Sequence, residues 1–204
     1  MRFQSLMLDL GTPVPPFSLP GIDGRRYSID QFDASKLLFV IFICNHCPFV
    51  LHIIDAVLKY AADYAHGVAS VAISSNDVLT HPEDGPDAMR HFAHERGFTF
   101  PYLYDETQAA ALAFGAVCTP DLFLFDLQRR LAYRGQFDAS RPQTSHDRSP
   151  ERPHVPVTGR DLRRATEALL NGEKPDPLQR PSMGCSMKWK AGNDPDGGAL
   201  IPPS

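Results

Sequence analysis

The strongest pattern along the chain is an unbroken apolar run, Leu37–Ile43 (LLFVIFI), followed after a short polar break by Phe49, Val50, Ile53, Ile54, Val57 and Leu58 at helical spacing. So short a run, rich in β-branched and aromatic residues, predicts a strand buried on both faces. Pro48 suits the first position of the helix that follows, because its missing N–H is not needed there. That helix is expected to reach about His66, with Gly67 as its stop. Val68–Ser74 (VASVAIS) repeats the strand pattern, and a strand–helix–strand order with a crossover of helical length implies two parallel strands in one sheet.

The flanking sequence fills in the rest. Gly21-Ile22-Asp23-Gly24 between short β-prone pieces predicts an N-terminal β-hairpin within 11–33. Residues 75–86 read as a surface loop at the strand end, Pro86–Arg96 as a helix stopped by Gly97, 98–104 as a short extended piece, and Asp105–Phe114 as an Ala-rich helix capped by Asp105 or Thr107. Strands at 122–126 and 131–136, joined by a polar connection, predict an antiparallel hairpin. Residues 137–156 are dense in Pro, Ser, Arg and Asp and predict a long exposed loop. Thr158–Asn171 reads as a helix capped by Thr158, with Leu162, Ala165, Leu169 and Leu170 on one face. The expected division is a domain at 1–174 and a C-terminal extension at 175–204. The extension spends Met183, Cys185, Met187 and Trp189, so Arg180–Trp189 is expected to dock on the body.

Composition narrows the function. A formal net charge of -4, with no block of Lys and Arg, excludes a binder driven by phosphate neutralisation, so no nucleic-acid partner is expected. No apolar run reaches membrane-spanning length, and MRFQSLMLDLG lacks the apolar core and cleavage site of a signal peptide. The expectation is a cytoplasmic protein without a membrane partner, in a compartment where a close thiol pair serves catalysis or metal binding sooner than stapling.

Such a pair stands at the predicted strand–helix turn, Cys44-Asn45-His46-Cys47. A thiol at a helix N-terminus feels the positive end of the helix dipole, which favours thiolate; His46, if protonated, adds to this. Two intervening residues leave the sulfurs able to close a small disulfide ring. The alternatives are two structural cysteines or half of a zinc site. His81, His91 and His94 read as surface residues. Cys185 reads either as a third redox thiol on a tail folded back towards the dithiol or as a buried structural cysteine; two residues before Pro120, Cys118 reads as a small buried hydrophobe or another candidate thiol.

The order of elements, the Cys44-Asn45-His46-Cys47-Pro48 turn and Thr119-Pro120 before Asp121-Leu122-Phe123 resemble the thioredoxin superfamily. The N-terminal PPFSLPGIDGRRYSI and the ending Ser182–Lys190 look like a peroxiredoxin-like group that carries a C-x-x-C. The resemblance implies an α/β fold with a central mixed sheet flanked by helices, and a cis Thr119–Pro120 bond facing Cys44 and Cys47. It also implies that Thr119 and Pro120 contact substrate, along a strand edge left open for substrate backbone. The expected activity is thiol–disulfide exchange with no cofactor and no metal, in which Cys44, at the exposed lip of the turn, attacks and Cys47 resolves. The expected partners are a disulfide-containing protein or a small-molecule thiol, with a reducing system that recycles the site. Two other functions remain open. One is a thiol peroxidase with Cys47 as the attacking thiolate and an antioxidant role; the other is a metal-binding or redox-sensing module using Cys44 and Cys47 with His46, Cys118 or Cys185. Against the peroxiredoxin pattern, Cys44 stands where a Thr is usual and Val40 where a Pro is usual. Against thioredoxin, the apolar LLFVIFI carries no acidic residue, which leaves His46, water or a residue that the sequence does not place to accept a proton.

Overall fold

The computed structural model describes residues 2–142 and 155–195. In chain order the elements are β1 (Arg2–Gln4), β2 (Ser18–Pro20), β3 (Arg26–Ser28), β4 (Leu37–Phe42), α1 (Pro48–Asp63), β5 (Val68–Ser74), α2 (Pro86–Arg96), β6 (Tyr102–Tyr104), α3 (Ala109–Phe114), β7 (Cys118–Thr119), β8 (Asp121–Phe125), β9 (Leu131–Tyr133), α4 (Arg160–Leu170) and β10 (Met183–Ser186).

β4 is the centre of a five-stranded mixed sheet ordered β6-β5-β4-β8-β9, parallel to β5 and antiparallel to β8. Its alternation sorts the core into two layers. Phe39 and Ile41, with Ile43 just beyond the strand, pack with residues of α1, α2 and α4; Leu38, Val40 and Phe42 pack on the other face with Phe17, Phe32, Ala111 and Phe114. Every β4 residue is buried, which is why the run could afford no polar position. β2 and β3 form the expected N-terminal hairpin.

Four elements depart from the sequence reading, among them β9, which stops at Tyr133, short of the strand expected over 131–136. α3 begins at Ala109, not at Asp105, because the chain turns through a left-handed Gln108 (φ 64°). Asp105 still serves the helix: it is fully buried and its Oδ2 accepts from Ala111 N–H at 3.0 Å and Ser75 O–H at 2.9 Å. The extended piece at 98–104 narrows to β6. α4 begins at Arg160 after a left-handed Gly159, and the Asp138 carboxylate accepts from the N–H groups of Thr158 and Gly159, both at 2.7 Å. Of the loop expected at 137–156, residues 143–154 lie outside the described residues.

The C-terminal segment adds a structure the pattern did not announce. β10 pairs antiparallel with β7 on one side and with β1 on the other, forming a second sheet, β1-β10-β7. The strand edge beside Pro120, expected to be open, is therefore filled by the chain itself. Among the described residues no helix is long and apolar enough to cross a membrane.

Candidate active site

β4 and β5 run side by side to the same end of the sheet, where Ile43 N–H donates to Ile73 carbonyl O at 2.9 Å. Beyond that point the chain must leave the sheet, and Cys44–Cys47 form the turn. Cys47 is extended (φ −68°, ψ 121°) and Pro48 opens α1. The turn is held against the 82–84 segment: Asn45 N–H donates to Asp84 Oδ1 at 2.8 Å, Asn45 Nδ2 to Glu83 carbonyl O at 2.8 Å, and Tyr102 O–H to Asn45 Oδ1 at 3.1 Å.

Opposite the turn, the Thr119–Pro120 bond is cis. Both sulfurs touch Thr119: Cys44 Sγ lies 3.5 Å from Thr119 Oγ1, and the Cys47 thiol donates to the Thr119 carbonyl O at 3.0 Å. Cys44 is 1% exposed and Cys47 0%, so the expectation of an exposed Cys44 is corrected: the fold closes over both thiols. Cys185, half-buried on β10, pairs with Thr119, the residue whose carbonyl O the Cys47 thiol contacts. Cys118 is buried on a different course. Its thiol donates to Pro120 carbonyl O at 3.7 Å, and burial, then the nearby Asp121, push it well above the ordinary thiol range.

Charge divides the three clustered sulfurs. Hydrogen bonds from Cys185 and then Cys44 hold the Cys47 thiol far below its usual range, against the cost of burial. The same contact raises Cys44, with burial and the Asp84 charge adding to it; contact with Cys47 and burial likewise raise Cys185. Of Cys44, Cys47 and Cys185, Cys47 is therefore the thiol whose ionisation the surroundings favour most.

Asp84 is the residue the sequence reading missed. It is fully buried, and its Oδ2 accepts from Asn76 Nδ2 at 2.7 Å and lies 2.9 Å from His46 Nδ1, outside hydrogen-bond geometry. The buried acid absent from β4 is thus supplied by a neighbouring loop. Its one sequence signal was position, in a loop following a parallel strand at the dithiol end. His81 also belongs here, stacked on His46 with ring centroids 5.4 Å apart. Behind Pro120, Asp121 is fully buried and burial pushes its carboxyl up to about 7.

Ligand atoms of Cys44, His46 and Asp84 lie within 4.8 Å of one another, as do those of His46, His81 and Glu83. Both Asp84 oxygens already take N–H donors, so the first group is complete as a hydrogen-bond network without an ion. Cys118 and Cys185 belong to neither group. Beside Pro120 a shallow cleft is bordered by Phe49, His52, Phe137, Arg141 and Met183.

Residues 9–148 match the family described as Redoxin. The chain belongs to the Redoxin family. A hypothetical protein from Sinorhizobium meliloti 1021 is 44% identical, with 93% of this chain and 100% of that one covered and a TM-score of 0.87. An uncharacterized conserved protein from Geobacillus kaustophilus is also 44% identical, covering 94% and 97%, TM-score 0.87. A thiol:disulfide interchange protein of the thioredoxin family from Chlorobium tepidum shares the fold at 19% identity, covering 69% and 92%, with a TM-score of 0.53. No curated protein matches the sequence at a significant level. The family and the thioredoxin-like fold, together with the C-x-x-C at the helix start, support a thiol redox function in general terms.

Proposed function

We propose that this Redoxin-family protein is a thiol–disulfide oxidoreductase whose redox couple is Cys44–Cys47. The observation that carries the reading is the packing of both thiols on Thr119, next to cis Pro120, with the Asp84 carboxylate beside Cys44. Since neither thiol is exposed, charge and not access assigns the roles. Cys47, as thiolate, attacks one sulfur of a substrate disulfide, and the other sulfur leaves as a thiolate that takes a proton from water. Cys44 then gives its proton to Asp84 or His46 and attacks Cys47 Sγ. The mixed disulfide breaks, the second substrate thiol leaves, and the Cys44–Cys47 disulfide remains. His46, beside Asp84, has a side chain that is 30% exposed. A dithiol reductant in a reducing, cytoplasmic compartment would restore the pair.

Turnover of a small aromatic disulfide in the presence of a dithiol reductant tests the reading. The wild type is expected to reduce it and Cys47→Ser to fall to background. A wild type without turnover would discard the oxidoreductase assignment, whereas turnover that survives Cys47→Ser and vanishes in Cys44→Ser would return the attacking role to Cys44.

The shifted Cys47 thiol also favours a second reading, a thiol peroxidase. Cys47 thiolate would attack a peroxide oxygen, giving a sulfenic acid and releasing water or alcohol, and Cys44 would condense with it to the disulfide and water. Rapid mixing with hydrogen peroxide separates the two. Slow oxidation of Cys47 is expected, because a thiol at position 44 replaces the hydroxyl that would steady the departing oxygen.

A further inference from the structure

β10 occupies the edge of β7 as a bound strand would. Cys185 pairs with Thr119 and Ser186 with Cys118, while β1 covers the outer edge. The fit depends on Gly184, since a Cβ there would stand 2.0 Å from the Thr119 carbonyl O and 2.5 Å from its carbonyl carbon. Beyond the strand the chain is fastened to the loops around the dithiol. Met187 N–H donates to Val117 carbonyl O at 3.0 Å, Lys188 N–H to Asn76 Oδ1 at 2.9 Å, and Asp77 N–H and Gln108 Nε2 to Lys188 carbonyl O, both at 2.8 Å. Asn76 is the residue that also holds Asp84. A strand so tied holds Cys185 in register with Thr119, whose carbonyl O Cys47 itself contacts at 3.0 Å. Of the three clustered cysteines, Cys185 alone is not fully buried.

We propose that Cys185 is a built-in exchange partner of Cys47, so that the dithiol works as a three-sulfur relay opening at β10. The Cys185 thiolate attacks Cys47 Sγ of the Cys44–Cys47 disulfide, the Cys44–Cys47 bond breaks, and a Cys47–Cys185 disulfide forms. Cys44 leaves as a thiolate and takes up a proton as Cys185 gives one up; nothing is oxidised or reduced overall. The relay carries the disulfide from a buried pair to a half-buried sulfur, where a reductant can meet it. That reductant is of the small-thiol class, because the edge along which an extended polypeptide would pair is already taken by β10.

The relay rests on the oxidoreductase reading, and one set of variants tests both. Full-length Cys44→Ser protein, reduced and then exposed to glutathione disulfide, is expected to lose two thiols and to yield a Cys47–Cys185 linked peptide, with Cys118 still alkylatable. Cys44→Ser/Cys185→Ser is expected to stop at a Cys47–glutathione mixed disulfide. Cys44→Ala repeats the first arm without a new hydroxyl, and circular dichroism confirms that each variant is folded. Accumulation of the mixed disulfide in folded Cys44→Ser and Cys44→Ala, with Cys185 free, overturns the relay while leaving the Cys44–Cys47 couple intact. Wild type that exchanges with no disulfide removes both.

Discussion

At the scale of the residue, the chemistry turns on Asp84. A fully buried carboxylate beside Cys44 raises that thiol by its charge, so removing the charge favours the Cys44 thiolate. In a Cys47→Ser background, Asp84→Asn should therefore move the pH profile of Cys44 alkylation to lower pH; an unchanged or higher midpoint would detach Asp84 from the thiol. In the otherwise wild-type chain the same substitution should slow turnover on the order of 100-fold, the loss of Asp84 as acceptor of the Cys44 proton outweighing the easier ionisation of that thiol; turnover close to wild type would pass the acceptor's role to His46. The dithiol and Thr119-Pro120 were legible in sequence because each is a local motif at a strand end. Asp84 was not, because nothing between Ser75 and Pro86 tells which of Asp77, Glu83 and Asp84 reaches the dithiol turn. That choice is made by Asn45 and Asn76, whose N–H groups meet Asp84 only after β4 and β5 have paired.

At the scale of the element, β4, α1, β5 and α2 follow the hydrophobic pattern closely, since each buries a face its own period defines. β10 follows no such pattern. Met183-Gly184-Cys185-Ser186 has neither alternation nor branched residues, and it becomes a strand because β7 and β1 offer edges on both sides. Gly184 is the position where that pairing is least forgiving. Gly184→Ala should destabilise the protein by about 3 kcal/mol, as overpacking against rigid backbone does, and denaturant unfolding measures it. The same variant should expose Cys185 to alkylation many times faster than wild type, since lifting β10 parts it from Cys47. A Gly184→Ala chain with wild-type stability and unchanged Cys185 reactivity would mean that β10 does not rest on the Thr119 carbonyl.

At the scale of the whole molecule, the cost of burying Asp121 should appear as a pH dependence of stability. Its folded value of about 7 lies above the ordinary 3.8, so the folded state holds the proton more tightly. The contribution is fully present below about pH 4 and is lost as pH rises through about 7, a difference on the order of 4 kcal/mol. Asp121→Asn cannot ionise, so its stability relative to wild type should improve as pH rises across that window, as read from denaturant midpoints; a constant difference would show that Asp121 keeps its charge. The sheet β1-β10-β7 has a consequence of another kind, set by the order in which a ribosome delivers the chain. Cys44 and Cys47 emerge long before residues 183–186, at typical elongation rates on the order of ten seconds earlier. Until β10 arrives, the nascent dithiol lacks its covering strand, so arrested chains ending before Ser182 should be alkylated at Cys44 and Cys47 far faster than completed ones. The newborn protein, not the finished one, is where its sulfurs stand most open to damage.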